Sequence, residues 1–70
     1  MRREYIKDKT YRVIGCIETD DKGNKVGKDY VFRVVGRYDA KQNITKDLYG
    51  KFVGTGDQLS SLIRSAYENK

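Results

Sequence analysis

The sequence predicts a mainly β protein, an antiparallel meander of hairpin repeats with three long or several shorter strands and one C-terminal α-helix. Three observations predict this fold. Asp, Asn and Gly residues separate short runs of alternating apolar residues, a nine-residue pattern occurs three times, and the C-terminal residues have apolar side chains at helical spacing. With 70 residues, the chain is expected to be a single β-repeat domain over residues 1–70.

The repeat begins with Lys-Asp and ends with a basic residue, two apolar residues and glycine. Its copies are residues 7–15, 28–36 and 46–54. In the third copy, Asp47 can accept hydrogen bonds from the turn backbone, and Gly50 can adopt the left-handed conformation that follows. Tyr11 and Phe32 occupy this glycine's position in the other copies. Because aromatic residues disfavour a positive φ and favour strands, we expect these two turns to open into continuous or bulged strands.

Two more loops and a helix complete the predicted order of elements. Residues 20–24 and 39–43 are rich in turn-forming residues and predict hairpin loops. Asp57 is a typical helix N-cap, and it predicts a helix over about residues 57–68. The apolar residues at helical spacing are Leu59, Leu62, Ile63 and Ala66.

The repeat and the C-terminal segment together resemble a family of small bacterial proteins of uncertain function. Those proteins repeat Asp-x-x-Gly-Arg-apolar-apolar-Gly and end in Gly-Asp/Asn-x-Leu-x-x-Leu-Ile, which corresponds here to Gly56 through Ile63. The resemblance extends from Asp8 to Ile63, and Tyr11 and Phe32 replace the glycine of the family pattern. It implies the fold more than the function, since it supplies no catalytic residues.

Composition argues against an enzyme. The chain has no His and one Cys, so Cys16, Ser60 and Ser61 lack the usual base that activates a nucleophile. The same composition leaves too few soft ligands for a zinc site. We therefore predict a non-enzymatic protein without catalytic residues, metal sites or cofactors.

The charge distribution indicates an anionic partner. Lys and Arg total 15 against 10 Asp and Glu, a net charge of +5. Cations recur at two repeat positions, which would form two rows if the repeats stack in register: Arg12, Arg33 and Lys51, and Lys7, Lys28 and Lys46. Rows of cations suit phosphates, and the tyrosines expected to stack on bases are Tyr30, Tyr38 and Tyr49. The predicted partner is nucleic acid or a nucleotide-like ligand; the alternative is a structural or protein-interaction module without nucleic-acid binding, whose cations prevent aggregation.

The small core predicts self-association. A chain this short buries only about 60% of its unfolded surface, and one helix can cover only one face of a sheet. Strand alternation places apolar residues on both faces: Tyr30, Phe32, Val34 and Tyr38 on one, and Ile14, Val31, Val35 and Val53 on the other. We expect a homodimer or a higher closed oligomer joined through the second set, with Val35 near its centre.

The sequence also predicts where the protein works. No apolar run approaches the length of a membrane span, and the first residues lack the apolar segment of a signal peptide. A cytoplasmic location without a membrane partner is therefore expected.

Overall fold

The computed structural model describes residues 1–68 as six strands and one helix. The strands are β1 (Arg2–Lys7), β2 (Val13–Thr19), β3 (Lys25–Asp29), β4 (Val34–Asp39), β5 (Ile44–Asp47) and β6 (Phe52–Thr55), and the helix is α1 (Leu59–Glu68). The strands form one antiparallel sheet in chain order. The predicted meander with a C-terminal helix is confirmed. Of the two predicted arrangements, three long strands or several shorter ones, the structure has the shorter strands. Within residues 1–68, no helix is long and apolar enough to cross a membrane.

Each copy of the sequence repeat forms a hairpin with the same turn. The Asp carboxylate accepts hydrogen bonds of 2.8–3.1 Å from the backbone N–H groups two and four residues later. The Asp N–H also donates to the carbonyl four residues on, at 2.9–3.0 Å. The three Asp residues are Asp8, Asp29 and Asp47. Asp20 makes the same set of bonds in the β2–β3 turn, so the structure contains this turn at a position outside the sequence repeat.

Tyr11 and Phe32 lie in tight turns, and the expectation that they open these turns into strands is wrong. Their φ angles of 63° and 65° lie in the left-handed region that Gly50 occupies with a φ of 81°. A left-handed conformation costs a non-glycine residue about 1–2 kcal/mol. The carboxylate and backbone hydrogen bonds of the turn offset this cost, because together they fix the backbone on both sides of the strained residue.

A β-bulge follows each of the three repeat turns and changes the face of the sheet on which the next side chains lie. The register shifts between Ile6 and Lys7, between Gly27 and Lys28, and between Thr45 and Lys46. The extra residue on the opposite strand is the second apolar residue of the repeat: Ile14, Val35 and Val53. A bulge redirects a side chain that strict alternation would place on the other face. Ile14 and Gly15 therefore both lie on the side of the sheet that carries α1.

The helix packs closely on the sheet because glycines lie beneath it. Gly15, Gly27 and Gly36 lie beneath Ile63, Leu59 and Leu62, respectively. The core consists of Ile6, Ile14, Ile17, Leu59 and Ile63, with Val35, Tyr38, Leu62 and Tyr67 packed against it. The Asp57 carboxylate accepts a hydrogen bond of 3.0 Å from the Leu59 N–H, which is the predicted cap. One face of the sheet is thus covered by α1, and within residues 1–68 no helix covers the other face.

Candidate nucleic-acid interface

The sheet surface opposite α1, which we call the open face, carries the candidate site. The strand register assigns its side chains: Arg3, Tyr5 and Lys7 of β1, Val13, Cys16 and Glu18 of β2, Val26 and Lys28 of β3, Val34, Arg37 and Asp39 of β4, Ile44 and Lys46 of β5, and Phe52 of β6. The first apolar residue of each repeat (Val13, Val34 or Phe52) lies on this face, directly across its hairpin from the repeat's Lys. The open face therefore mixes apolar and cationic side chains on every hairpin.

An ion-pair cluster occupies the β1–β3 half of the open face. Glu18 accepts from Arg3 at 2.6 Å and pairs with Lys28 at 2.9 Å. The hydrogen bonds from Lys28 and Arg3 hold the pKa of Glu18 below its ordinary range. Hydrogen bonds to Tyr5 and Glu18 raise the pKa of Arg3. Glu18 is thus a carboxylate whose charge is already balanced by two cations.

Cys16 lies within the same cluster and is buried, at 1% exposure. Burial, followed by the charge of Glu18, raises the pKa of its thiol. Because the thiolate is the reactive form of cysteine, this environment keeps the side chain in its unreactive form at neutral pH.

Aromatic rings are accessible across the open face. Tyr5 is 49% exposed, Phe32 54% and Phe52 63%. Phe32 belongs to the β3–β4 turn, yet its ring centroid lies 5.6 Å from the guanidinium carbon of Arg3, at the edge of the ion-pair cluster. Ring faces beside cations can stack on bases while the cations contact phosphates.

The two predicted rows of cations occupy different parts of the molecule. Arg12, Arg33 and Lys51 each follow the left-handed residue of a turn, and the three turns lie at the same end of the sheet. Successive members are two strand spacings apart, a distance of about 10 Å. Arg33 forms an ion pair with Asp29 at 3.3 Å. This row thus borders the open face at the turn end of the sheet.

The second row lies on the open face itself. Lys7, Lys28 and Lys46 are on β1, β3 and β5, so an intervening strand separates each from the next. Lys28 is held by Glu18. Lys46 instead lies directly opposite Arg37 in the β4–β5 ladder. Arg37 is a cation that the sequence analysis did not select.

The three predicted stacking tyrosines do not form one surface. Tyr49 is 81% exposed in the β5–β6 turn. Tyr30 packs edge-to-face on Tyr67, with centroids 6.1 Å apart. Tyr38 packs against the core, and its hydroxyl donates to Asn43 Oδ1 at 2.6 Å. Tyr38 alternates regularly with Gly36 on the helix side of β4, so it does not lie on the open face with the other candidate side chains.

The residues assigned to self-association also need correction. Ile14, at 2% exposure, is part of the core, and Val35 packs against that core, so neither lies on a free sheet surface. The bulges cause both errors. Val31 is 51% exposed in the β3–β4 turn, and Val53 is 39% exposed on β6.

Sequence reasoning missed Arg3, Tyr5, Arg37 and Phe52. The repeat glycines could have identified the strand residues among them. Gly15 and Gly36 face α1, so the residues one or three positions further along the same regular strand face away from the helix. Among the 68 described residues, no group of His, Cys, Asp and Glu is placed to hold a metal ion. No protein-family model, curated protein or solved structure matches the chain.

Proposed function

We propose that this protein is a non-enzymatic module that binds single-stranded nucleic acid on its open face. One observation carries the proposal: exposed aromatic rings lie among cations on the sheet face opposite α1. Stacking on such rings and pairing with such cations are the two interactions by which proteins hold single strands.

The charge balance of the open face favours a polyanion. Its cations are Arg3, Lys7, Lys28, Arg37 and Lys46, and its acids are Glu18 and Asp39. Glu18 is occupied by Arg3 and Lys28, and Asp39 accepts hydrogen bonds from two backbone N–H groups of its turn. The face therefore presents an excess of positive charge, which attracts phosphates and speeds their association.

The shape of the site favours a single strand over a duplex. Base stacking on Tyr5, Phe32 or Phe52 requires a base with a free ring face, which paired and stacked bases do not offer. Reading a duplex would instead require a helix or ribbon that enters a groove. A nucleic-acid partner also agrees with the cytoplasmic location expected from the sequence.

Self-association through the open face is the second candidate, and the exposed Val13 and Phe52 are the observation that favours it. A two-fold interface places one patch against the same patch of another copy. Such packing would bury Arg37 and Lys46 against a face with few free acids, and burying unpaired charges is costly. The open face is therefore better suited to a polyanion than to a second copy.

The test is fluorescence anisotropy of labelled single-stranded DNA and RNA over a range of salt concentrations. We expect binding that weakens linearly on a log–log plot as salt rises. Replacing Tyr5 and Phe52 together with Ser should weaken binding by about 1–3 kcal/mol for each base that loses its stacking partner. Tyr49→Ser is the matched control, since it removes an exposed tyrosine of the β5–β6 turn, outside the strands that form the open face, and it should bind like the parent.

Two further variants and one measurement separate the alternatives. If replacing Arg12, Arg33 and Lys51 with Ser abolishes binding while the open-face variant keeps it, the site is the turn end and our assignment is wrong. If no oligonucleotide binds even at low salt, the proposed function fails. Light scattering after size exclusion then tests the second candidate. Self-association requires a measured mass above that of the 8.1 kDa monomer, and Phe52→Lys should return the mass to that of the monomer.

A further inference from the structure

A groove of about 500 Å³ lies on the open face where β3, β4 and β5 run side by side. Val26, Arg37 and Lys46 line it as direct neighbours across the ladders, and Leu48 from the β5–β6 turn adds an apolar wall. Leu48 is 50% exposed. The groove thus combines a cationic floor with apolar sides.

Most charged groups at this groove already have partners. Lys25 forms an ion pair with Asp57 at 2.9 Å. Asp39 and Asp47 each accept hydrogen bonds from two backbone N–H groups of their own turns. Arg37 and Lys46 differ from these groups, because neither has an ion pair or a side-chain hydrogen bond with any residue from 1 to 68.

The position of these two cations is unfavourable without an anion. Arg37 and Lys46 are directly opposite each other in the β4–β5 ladder, where Cβ atoms are about 5 Å apart and like charges repel. An anion between the two side chains would turn this repulsion into two attractions. The guanidinium of Arg37 can donate two parallel hydrogen bonds to phosphate oxygens, and the ammonium of Lys46 adds a second charge.

The charge of the pair selects among phosphates. An internal phosphodiester carries a single negative charge, whereas a phosphomonoester carries about 1.5–2 negative charges at neutral pH. Two adjacent cations match the monoester better, and the walls formed by Val26 and Leu48 can contact the attached sugar and base. We propose that the groove, as a subsite of the proposed nucleic-acid face, binds the terminal phosphomonoester of a strand.

The experiment compares oligonucleotides of one sequence that end in a 5′-phosphate, a 3′-phosphate or hydroxyl groups. We expect one phosphorylated form to bind about tenfold more tightly than the hydroxyl form, because the extra contacts are hydrogen bonds between charged groups. Replacing Arg37 and Lys46 with Gln should remove this preference. Lys41→Gln is the control, since it removes an exposed cation of the β4–β5 turn outside the groove, and it should keep the preference.

A second probe makes failure of the subsite distinguishable from failure of the proposed function. Adenosine 5′-monophosphate should shift the backbone amide resonances of residues 37 and 46 in the parent but leave them unchanged in the double Gln variant. If the three oligonucleotides bind equally tightly, the terminal-phosphate proposal is overturned while nucleic-acid binding stands. If no oligonucleotide binds but the mononucleotide still produces these shifts, the subsite stands and the proposed function falls. If neither probe binds, both are overturned.

Discussion

Gly36 of β4 lies directly beneath Leu62 of α1, so close that the helix leaves no room for a side chain at this position. A methyl group at Gly36 would lie 2.5 Å from Leu62 Cδ1 and 2.8 Å from the carbonyl oxygen of Lys46. The backbone oxygen cannot move without disturbing the β4–β5 ladder. The glycine therefore sets the distance between helix and sheet.

Gly36→Ala should lower the free energy of unfolding by about 1–3 kcal/mol, because overpacking forces the helix or the ladder to shift. Gly54→Ala is the matched control. Its added methyl would meet Gln58 Cγ at 3.5 Å, an ordinary contact, and its effect should stay within about 0.5 kcal/mol. Urea denaturation followed by circular dichroism measures both variants, and equal effects would contradict the packing argument.

The helix is also tied to the sheet by Thr45. This residue is fully buried in β5, and its hydroxyl donates to the Gly56 carbonyl at 2.7 Å and accepts from the Gln58 N–H at 2.9 Å. Thr45→Val keeps the shape but leaves both backbone groups without this partner, so it should cost about 1–3 kcal/mol. Thr55→Val, at an exposed position on β6, should have almost no effect. A neutral Thr45→Val variant would mean that water replaces the hydroxyl.

The parts of the fold that depend on local chemistry were predictable from sequence. The Asp57 cap and the turn from Asp47 to Gly50 follow from which side chains can bond nearby backbone groups. The bulges were not predictable in this way, since one inserted residue in a strand has no mark of its own in the sequence. Strand alternation was therefore counted through Val35 as if the strand were regular, which placed Val34 on the same face as Tyr38 and Val35 on the opposite one, whereas the bulge puts Val35 and Tyr38 on the helix side and Val34 on the open face.

The left-handed turn residues provide a direct test of strain. Tyr11 is 82% exposed, so replacing it removes little packing. Tyr11→Gly should stabilise the protein by about 0.5–1 kcal/mol, because the relief of about 1–2 kcal/mol of strain exceeds the entropic cost of glycine. Thermal unfolding measures the change.

Tyr49→Gly is the comparison for this variant. Tyr49 is 81% exposed and does not have a positive φ, so glycine there brings only its entropic cost of about 0.5–1 kcal/mol. The two substitutions should therefore change stability in opposite directions. If both destabilise the protein, the Tyr11 ring has a packing role that outweighs its backbone strain.

The candidate site was only partly visible in the sequence, because its chemistry depends on pairing between distant residues. The repeat places Lys28 and Lys46 at the same position, yet Lys28 is neutralised by Glu18 of β2 whereas Lys46 faces Arg37 of β4. Only the register between neighbouring strands makes this distinction. A repeat in sequence thus predicts the recurrence of cations but does not predict which of them are free.

The Glu18 cluster gives the protein a defined dependence on pH. Hydrogen bonds from Lys28 and Arg3 lower the pKa of Glu18 in the folded state, so the folded protein binds this proton less tightly than the unfolded chain. Its contribution to stability is complete above the unfolded pKa of about 4.3 and is lost as the pH falls through the lower folded pKa. The pKa of Asp8 is lowered in the same direction by hydrogen bonds from the Thr10 side chain and the Arg12 backbone. The melting temperature should therefore fall as the pH drops below about 4.

Glu18→Gln isolates the cluster's share of this acid sensitivity. The variant should melt at a lower temperature than the parent at pH 7, because Arg3 and Lys28 lose the carboxylate between them. It should also show a shallower fall in melting temperature on acidification, because one of the groups that takes up a proton on unfolding is gone. Glu4→Gln removes an exposed carboxylate that makes no ion pair with the other described residues, and it should follow the parent's pH profile. If Glu18→Gln and the parent lose stability in parallel from pH 7 to about pH 3, the acid sensitivity comes from the turn aspartates and the Glu18 cluster has no part in it.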